Sequence, residues 1–428
     1  MAKWMAGRSD SPQALIISQI FYPETVSTGR ILTELGEKLA DMGAAIEVWC
    51  GPPTLVDRKS RVPRRLEHRH LVIRRVHGTR FSKIRILGKA LNQLSFLAGV
   101  AFLWLKDRSQ RPVLVTTDPP FLVILCALLL PWRRKSIVYL VLDVYPDTAI
   151  QLGLLNRRNP LTWLWNGLHR LALRRSAAII VLGRRMAEII KNKGKPGDSF
   201  AAKMHLLHLW SAEALALPRK HIIGPNSEAR LPSEKFVLVY AGNMGRVHDM
   251  DTIMQAAVEL AQEPRFFFMF LGEGFKKSGI EKFAGLRNLA NCRFDSYVAR
   301  GELGDLLAAA GAGLVSLTRE QEGLSEPCKT FGIMAAGRPV LGVLPQGSEM
   351  AMIINEHRCG VVVDPGDVRG LVRAIVDLAA DPGRCVELGR RGREAIESRF
   401  GLRQAGERYF ALLHSLQPRP GGNVQDHA

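Results

Sequence analysis

The chain has 428 residues, more than a single hydrophobic core usually holds, so two domains are the starting expectation. Hydrophobic content of 47% and charged content of 23% fit a packed globular protein and exclude long disorder away from the two ends. The net charge of +19 is one-sided: Lys+Arg number 37 against 17 Asp+Glu through Lys235, then 22 against 23, which points to an anionic partner for the first half or to a plain solubility bias.

The amino terminus, MAKWMAGRSDSPQ, lacks an apolar stretch followed by a small-residue cleavage site, so no signal peptide is expected. Ala14–Ile20 reads as a first strand, Phe21–Gly29 as a loop, Ile31–Met42 as an amphipathic helix capped by Gly43, and Ile46–Cys50 as a second strand. Leu94–Leu105 and Phe121–Trp132 are apolar runs of about a dozen residues bounded by basic ones. A membrane-spanning helix needs about 20, so both read as buried or interfacial helices. Val113–Thr117, Ser136–Leu142 and Ala177–Leu182 supply further strands separated by helical patterns, which implies a doubly wound parallel sheet. The six cysteines are scattered without a CxxC pair, arguing against a disulfide framework or zinc knuckle and for a reducing compartment.

Residues 216–233 are rich in Pro, Gly and polar side chains and read as a linker between an N-terminal domain, 1–215, and a C-terminal domain, 234–416, whose last helices could pack back on the first. Beyond it, Phe236–Tyr240, Arg265–Leu271, Ala290–Phe294, Ala312–Leu317, Pro339–Val343 and Gly360–Val363 read as strands. Helical stretches such as Thr252–Ala261, Leu303–Ala309, Gly366–Ala380 and Cys385–Arg399 accompany them, and the tail 417–428 reads as disordered.

Ligands of open parallel sheets sit outside the carboxyl ends of the strands. After the first strand of the second half comes AGNMGRVHDMD, where Gly242 and Gly245 permit close backbone approach, Arg246 and His248 can add charge, and the next helix offers N–H groups to a phosphate. The next strand ends in Gly272-Glu273-Gly274. Gln321–Pro339 then sets Glu322, Ser325, Glu326 and Lys329 before a small-residue helix opening near Thr330. Carboxylates there can accept hydrogen bonds from hydroxyls, and a lysine can balance a diphosphate. Gly347-Ser348-Glu349 forms a further turn. Any one of these is weak; four glycine-bearing turns on one sheet edge are not.

In order and spacing, FYPETVSTGR, TTDPP, DVYPDTAIQLGLL, YAGNMGRVHDMD, FLGEG, CKTFGIMAAGRPVLG and CGVVVDPGD resemble the family 4 (group 1) glycosyltransferases, over nearly the whole chain. The resemblance is to the branch of O-antigen, capsule and colanic-acid enzymes, which includes aminosugar transferases. It implies the GT-B fold, two facing Rossmann-like α/β domains with a cleft between them, and a retaining transfer from a nucleoside diphosphate sugar. It also implies that Asn243, Arg246 and His248 grip the donor diphosphate, that Lys329, Thr330 and Gly347–Glu349 line the nucleotide and sugar pocket, that Gly29 approaches from across the cleft, and that Asp143 lies near the transferred sugar. The chain departs from the family pattern at Asn243 and His248, where an Arg and a Lys are common. It departs again at Leu142, where a His precedes the Asp, and in lacking the paired glutamates, of which Glu322 and Glu326 are the nearest acids.

A same-face displacement needs no strong protein base, so the burden falls on fixed cations. Arg246, Lys329 and the orienting acid Asp143 are the expected catalytic groups, although a buried carboxylate capping a turn is the plainer reading of Asp143. Asp249-Met250-Asp251 reads as a helix cap and not as a metal-binding DxD, so neither a metal nor another cofactor is expected. The basic residues from Arg64 to Lys89 lead into the apolar helix, and Trp163–Arg175 is an aromatic–basic amphipathic stretch. Together they suggest peripheral binding to the inner face of the cytoplasmic membrane and a lipid-linked or saccharide acceptor; the alternative is that both helices are core elements with solvated basic faces. Rival readings are an epimerase of the same two-domain fold and a basic nucleic-acid-binding protein. The second leaves the four turns unexplained and lacks interleaved aromatics, so no nucleic acid is expected.

Overall fold

The structure, a computed structural model, describes residues 13–24, 27–53, 62–81, 86–195, 197–211, 231–232 and 234–418. Two sheets account for the two alternating series. The first has the order β3-β4-β2-β1-β5-β6-β7-β8, with β1 Ala14–Ser18, β2 Ile46–Cys50, β3 Arg65–His68, β4 Leu71–Arg75, β5 Val113–Thr116, β6 Ile137–Leu140, β7 Ala178–Val181 and β8 Met204–Leu206. Every pairing is parallel except β3 with β4. Every residue of β1, β5, β6 and β7 is buried, which is why these strands read as continuous apolar runs instead of alternating ones.

Helices α1 Ser27–Asp41, α2 Ile86–Lys106, α3 Leu122–Leu129, α4 Asp147–Gln151, α5 Pro160–Arg175 and α6 Arg184–Asn192 connect these strands. Right-handed crossovers put α2, α3 and α5 on the face opposite α1. Arg65–Arg75 is an edge hairpin turning at Arg69 and His70, both with positive φ; Arg75 is buried against Tyr22 O at 2.9 Å, and Arg69 pairs with Glu37. Lys83 and Arg85 lie outside the described residues. Among the described residues no helix is long and apolar enough to cross a membrane.

The second sheet is wholly parallel, in the order β11-β10-β9-β12-β13-β14: β9 Phe236–Ala241, β10 Phe266–Leu271, β11 Cys292–Asp295, β12 Ala312–Ser316, β13 Val340–Val343 and β14 Gly360–Val363. Its helices are α7 Asp251–Glu259, α8 Lys277–Leu286, α9 Arg300–Ala309, α10 Lys329–Ala335, α11 Glu349–Glu356, α12 Val368–Ala380 and α13 Pro382–Ala395. A last helix, α14 Leu402–Ser415, crosses back and packs on α1. Gly406 permits this contact, since a Cβ there would lie 2.6 Å from Lys38 Cγ. The Trp210 indole donates to Glu34 at 3.2 Å and meets Tyr409 edge-on. Ser211 N donates to Phe400 O at 3.1 Å, so the outgoing and returning chain crossings are tied together. Of the expected linker only Leu231 and Pro232 are described.

In each sheet the strand order reverses beside the first strand, between β1 and β5 and between β9 and β12. The crevices at those points are where such sheets take ligands.

Candidate active site

The two crevices face one another and meet. Asp143, just after β6, makes a backbone bridge with Ser325 of the loop after β12, and Val144 N donates to Leu324 O at 2.9 Å. Burial raises the Asp143 carboxyl to about 6, and the charge of Asp118 adds to the rise. Asp118, after β5 in the TTDPP stretch, is a second carboxylate that the sequence reading did not single out.

On the opposite wall, Lys329 opens α10 and reaches back to the loop after β9. Its ammonium donates to Tyr240 Oη at 2.5 Å and to Asn243 O at 3.4 Å, and lies over the Tyr240 ring. Beside it is Gly242, whose φ of +136° and 3.3 Å clearance to Lys329 Cε leave no place for a side chain. Burial lowers the Lys329 ammonium from 10.5 to about 7, and among the described residues no carboxylate pairs with it. A half-neutral buried lysine at a ligand crevice is a cation without its anion.

Three expectations for this loop are corrected. His248 adds no charge: burial and the nearby Lys329 depress the imidazole to about 3. Its Nδ1–H donates to Ser316 O at 2.8 Å, leaving Nε2 as an acceptor. The start of α7 offers no open phosphate site, because Asp249 accepts from Thr252 N at 3.1 Å and from its hydroxyl at 2.6 Å, placing a carboxylate where the anion would go. The glycines of the next turn serve their own backbone. A Cβ on Gly272 would lie 2.2 Å from Gly242 O, and one on Gly274 2.5 Å from Met244. Glu273 is exposed, accepts from Ser296 and Lys277, and is held below the usual carboxylate range by them. Arg246 and Asn243 are exposed; the Arg246 guanidinium stacks 3.3 Å from the Phe275 ring centroid, while Gly245 is buried beneath them.

The third group of residues gathers where the domains touch. Glu349, fully buried in the first turn of α11, accepts from Arg184 N at 2.6 Å, from the Arg184 guanidinium at 3.2 Å and from His208 at 2.8 Å, and these partners hold it below its ordinary range. It is an interdomain clamp, where the resemblance implied a pocket-lining group. Ser348 caps α11 through Ala351 N, and Thr330 is buried with its hydroxyl on Pro327 O; both serve their own helices. Glu322 lies 3.5 Å from Arg185 and packs against Gly347, where a Cβ would clash with it at 2.5 Å. Among the described residues neither oxygen of the Glu326 carboxyl has a hydrogen-bond partner, and burial with two neighbouring acids, Glu349 and Glu322, raises it well above its ordinary range. Gly29 lies inside α1, where a Cβ would sit 2.8 Å from Glu24 O. Gly183, Arg184, Arg185 and His208 were not foreseen, because a loop that becomes a contact only through the partner domain carries no local signal.

Residues 28–210 match the glycosyl transferase 4-like domain, and residues 235–381 match the glycosyl transferases group 1 family. A Pseudomonas aeruginosa protein named "Probable glycosyltransferase WbjE" is 28% identical over 70% of this chain and 74% of its own length. The lipopolysaccharide core biosynthesis glycosyltransferase LpsE of Rhizobium meliloti is 26% identical over 43% of this chain and 51% of its own. In fold, Anabaena HepE in complex with UDP-glucose superposes with a TM-score of 0.68 over 94% of this chain and 99% of that one, at 14% identity.

Proposed function

Since the chain belongs to the group 1 glycosyl transferases, we propose that it moves a sugar from a nucleoside diphosphate donor, with retained anomeric configuration, to a lipid-linked or oligosaccharide acceptor of a cell-surface polysaccharide. The carrying observation is Lys329, half-buried and with no carboxylate partner among the described residues, held beside Gly242 and Asn243 at the crevice of the second sheet. A diphosphate supplies that counter-ion, and Arg246, exposed and unpaired with any carboxylate among the described residues, can swing from Phe275 to add to it. Asp143, joined to the opposite loop, is set to orient the acceptor hydroxyl. The UDP-glucose bound by HepE and the lipopolysaccharide role in the name of LpsE support the donor class and the acceptor class respectively.

The test is calorimetric titration with UDP, GDP and dTDP and their sugars, followed by product analysis with acceptor. Binding of one nucleotide at micromolar affinity, weakened at least tenfold by Lys329→Met, is expected. No nucleotide binding would overturn the assignment, and isomerisation of the donor without acceptor would favour an epimerase.

The outer face of α2, α3 and α5 supports an acceptor presented at a membrane. Leu87 (71% exposed), Leu91, Leu94, Phe102 and Leu105 form a stripe along α2, and Trp132, Leu161, Trp163 (66% exposed) and Leu164 continue it. Lys89, Lys106, Arg133, Arg157 and Arg158 flank these side chains. Apolar side chains that insert and cations that meet anionic headgroups suit a peripheral site on the inner membrane face. Flotation with phosphatidylglycerol vesicles at physiological salt should carry the protein up, and Leu161→Ser with Trp163→Ser should release most of it. Failure of the unsubstituted protein to float removes the membrane from this reading.

A further inference from the structure

The junction of the two domains concentrates carboxyl groups beyond what holding the domains together requires. Glu349 is spent on Arg184 and His208, and Glu322 faces Arg185. Glu326 between them has no protein partner for either buried oxygen, although an ideal Cβ on Gly183 of the opposite domain would lie only 3.0 Å from its Oε1. Leaving a buried carboxyl unbonded costs more than any packing role returns, and a hydrophobic residue would fill the same space more cheaply. Ser325, its chain neighbour, bridges to Asp143, so the unsatisfied group sits at the junction where the sugar must pass from donor to acceptor.

Resting on the transferase reading, we propose that Glu326 holds a hydroxyl or acetamido group of the transferred sugar, and that Glu322, Glu326 and Glu349 together select an uncharged donor sugar against one bearing a carboxylate. Burial and two neighbouring acids raise the Glu326 carboxyl, which can accept from a sugar hydroxyl and, in its acid form, donate to one as well. A uronic acid would bring a negative charge into a low-dielectric site that offers it no free cation, beside Glu326 and the Asp118–Asp143 pair. The two arginines and His208 are already engaged with Glu349, Glu322, Glu356 and Glu188, so they leave little positive charge to receive it.

The experiment titrates the full chain with the tightest-binding nucleoside diphosphate alone, then with its neutral hexose form and the matching uronate, such as UDP, UDP-glucose and UDP-glucuronate. The neutral sugar nucleotide is expected to bind at least tenfold tighter than the uronate. Glu326→Leu should weaken the sugar nucleotide about tenfold while leaving the bare nucleoside diphosphate within twofold and the melting temperature unchanged or raised. Glu326→Gln, which keeps donor and acceptor, should restore the sugar increment. A uronate bound as tightly as the hexose, or Glu326→Leu without effect on the sugar increment, overturns the inference while leaving nucleotide binding intact. Absence of any nucleotide binding is instead the failure of the transferase reading.

Discussion

Two ionisable side chains at the crevice are held against their own stability, in opposite pH ranges. Lys329 has a folded pKa near 7, below its unfolded value, so its cost to folding is full below pH 7 and shrinks as pH rises toward 10.5. Lys329→Met should therefore raise the melting temperature of the free protein, recovering on the order of 1–3 kcal/mol after solvent screening, while losing donor affinity. Thermal melts with and without nucleotide check both signs. Donor binding returns the proton, so affinity for a sugar nucleotide should fall on the order of tenfold between pH 7 and pH 8.5, with proton uptake visible in buffers of different ionisation enthalpy. Asp143 runs the other way. Its folded pKa of about 6 lies above the unfolded value, so the group weakens the fold as pH climbs from 4 through 6, and Asp143→Asn should be more stable than the parent at pH 7.5. If Asp143 orients the acceptor as an anion, kcat/KM of the parent should decline below pH 6 and that limb should vanish in Asp143→Asn.

At the scale of elements, the glycine turns carry the sharpest consequences. Gly274→Ala must push Cβ into Met244 at 2.5 Å from a φ of +153°, and should cost several kcal/mol, read as a fall in melting temperature with denaturant slopes unchanged. Asp249→Ala removes a helix-end acceptor and should cost about 1 kcal/mol. The apolar strands were legible: Ile46–Cys50 and Gly360–Val363 lie where their apolar runs place them, and β9 and β12 differ from expectation by one residue. The edge elements were not. The β3–β4 hairpin is dense in arginine, which hides its alternation, and β8 is three residues long and largely exposed. Gly242 and Asn243 after β9 and Lys329 at the start of α10 each sit in a segment whose order and spacing the sequence carries. The neutral state of His248 and the clamp at Glu349 are not legible there, because each depends on residues distant in sequence, burial with Lys329 nearby in one case and Arg184 and His208 in the other.

For the molecule as a whole, the charge imbalance and the fold divide along the same line: the excess of lysine and arginine belongs to the domain whose outer helices expose aromatic side chains, and the near-neutral half holds the crevice between β9 and β12. Helix α14 breaks that division, following the second sheet in the chain yet seated on α1. Gly406→Leu, which would drive a side chain into Lys38, should detach it and expose Trp210, visible as a red shift in tryptophan emission. During synthesis, then, the first domain remains unfinished until α14 has emerged. While the residues between Trp210 and α14 are being added, the surface of α1 and the indole of Trp210 stay uncovered, and a premature stop near Phe400 would release a protein with both sheets intact and an exposed apolar seam on the first domain.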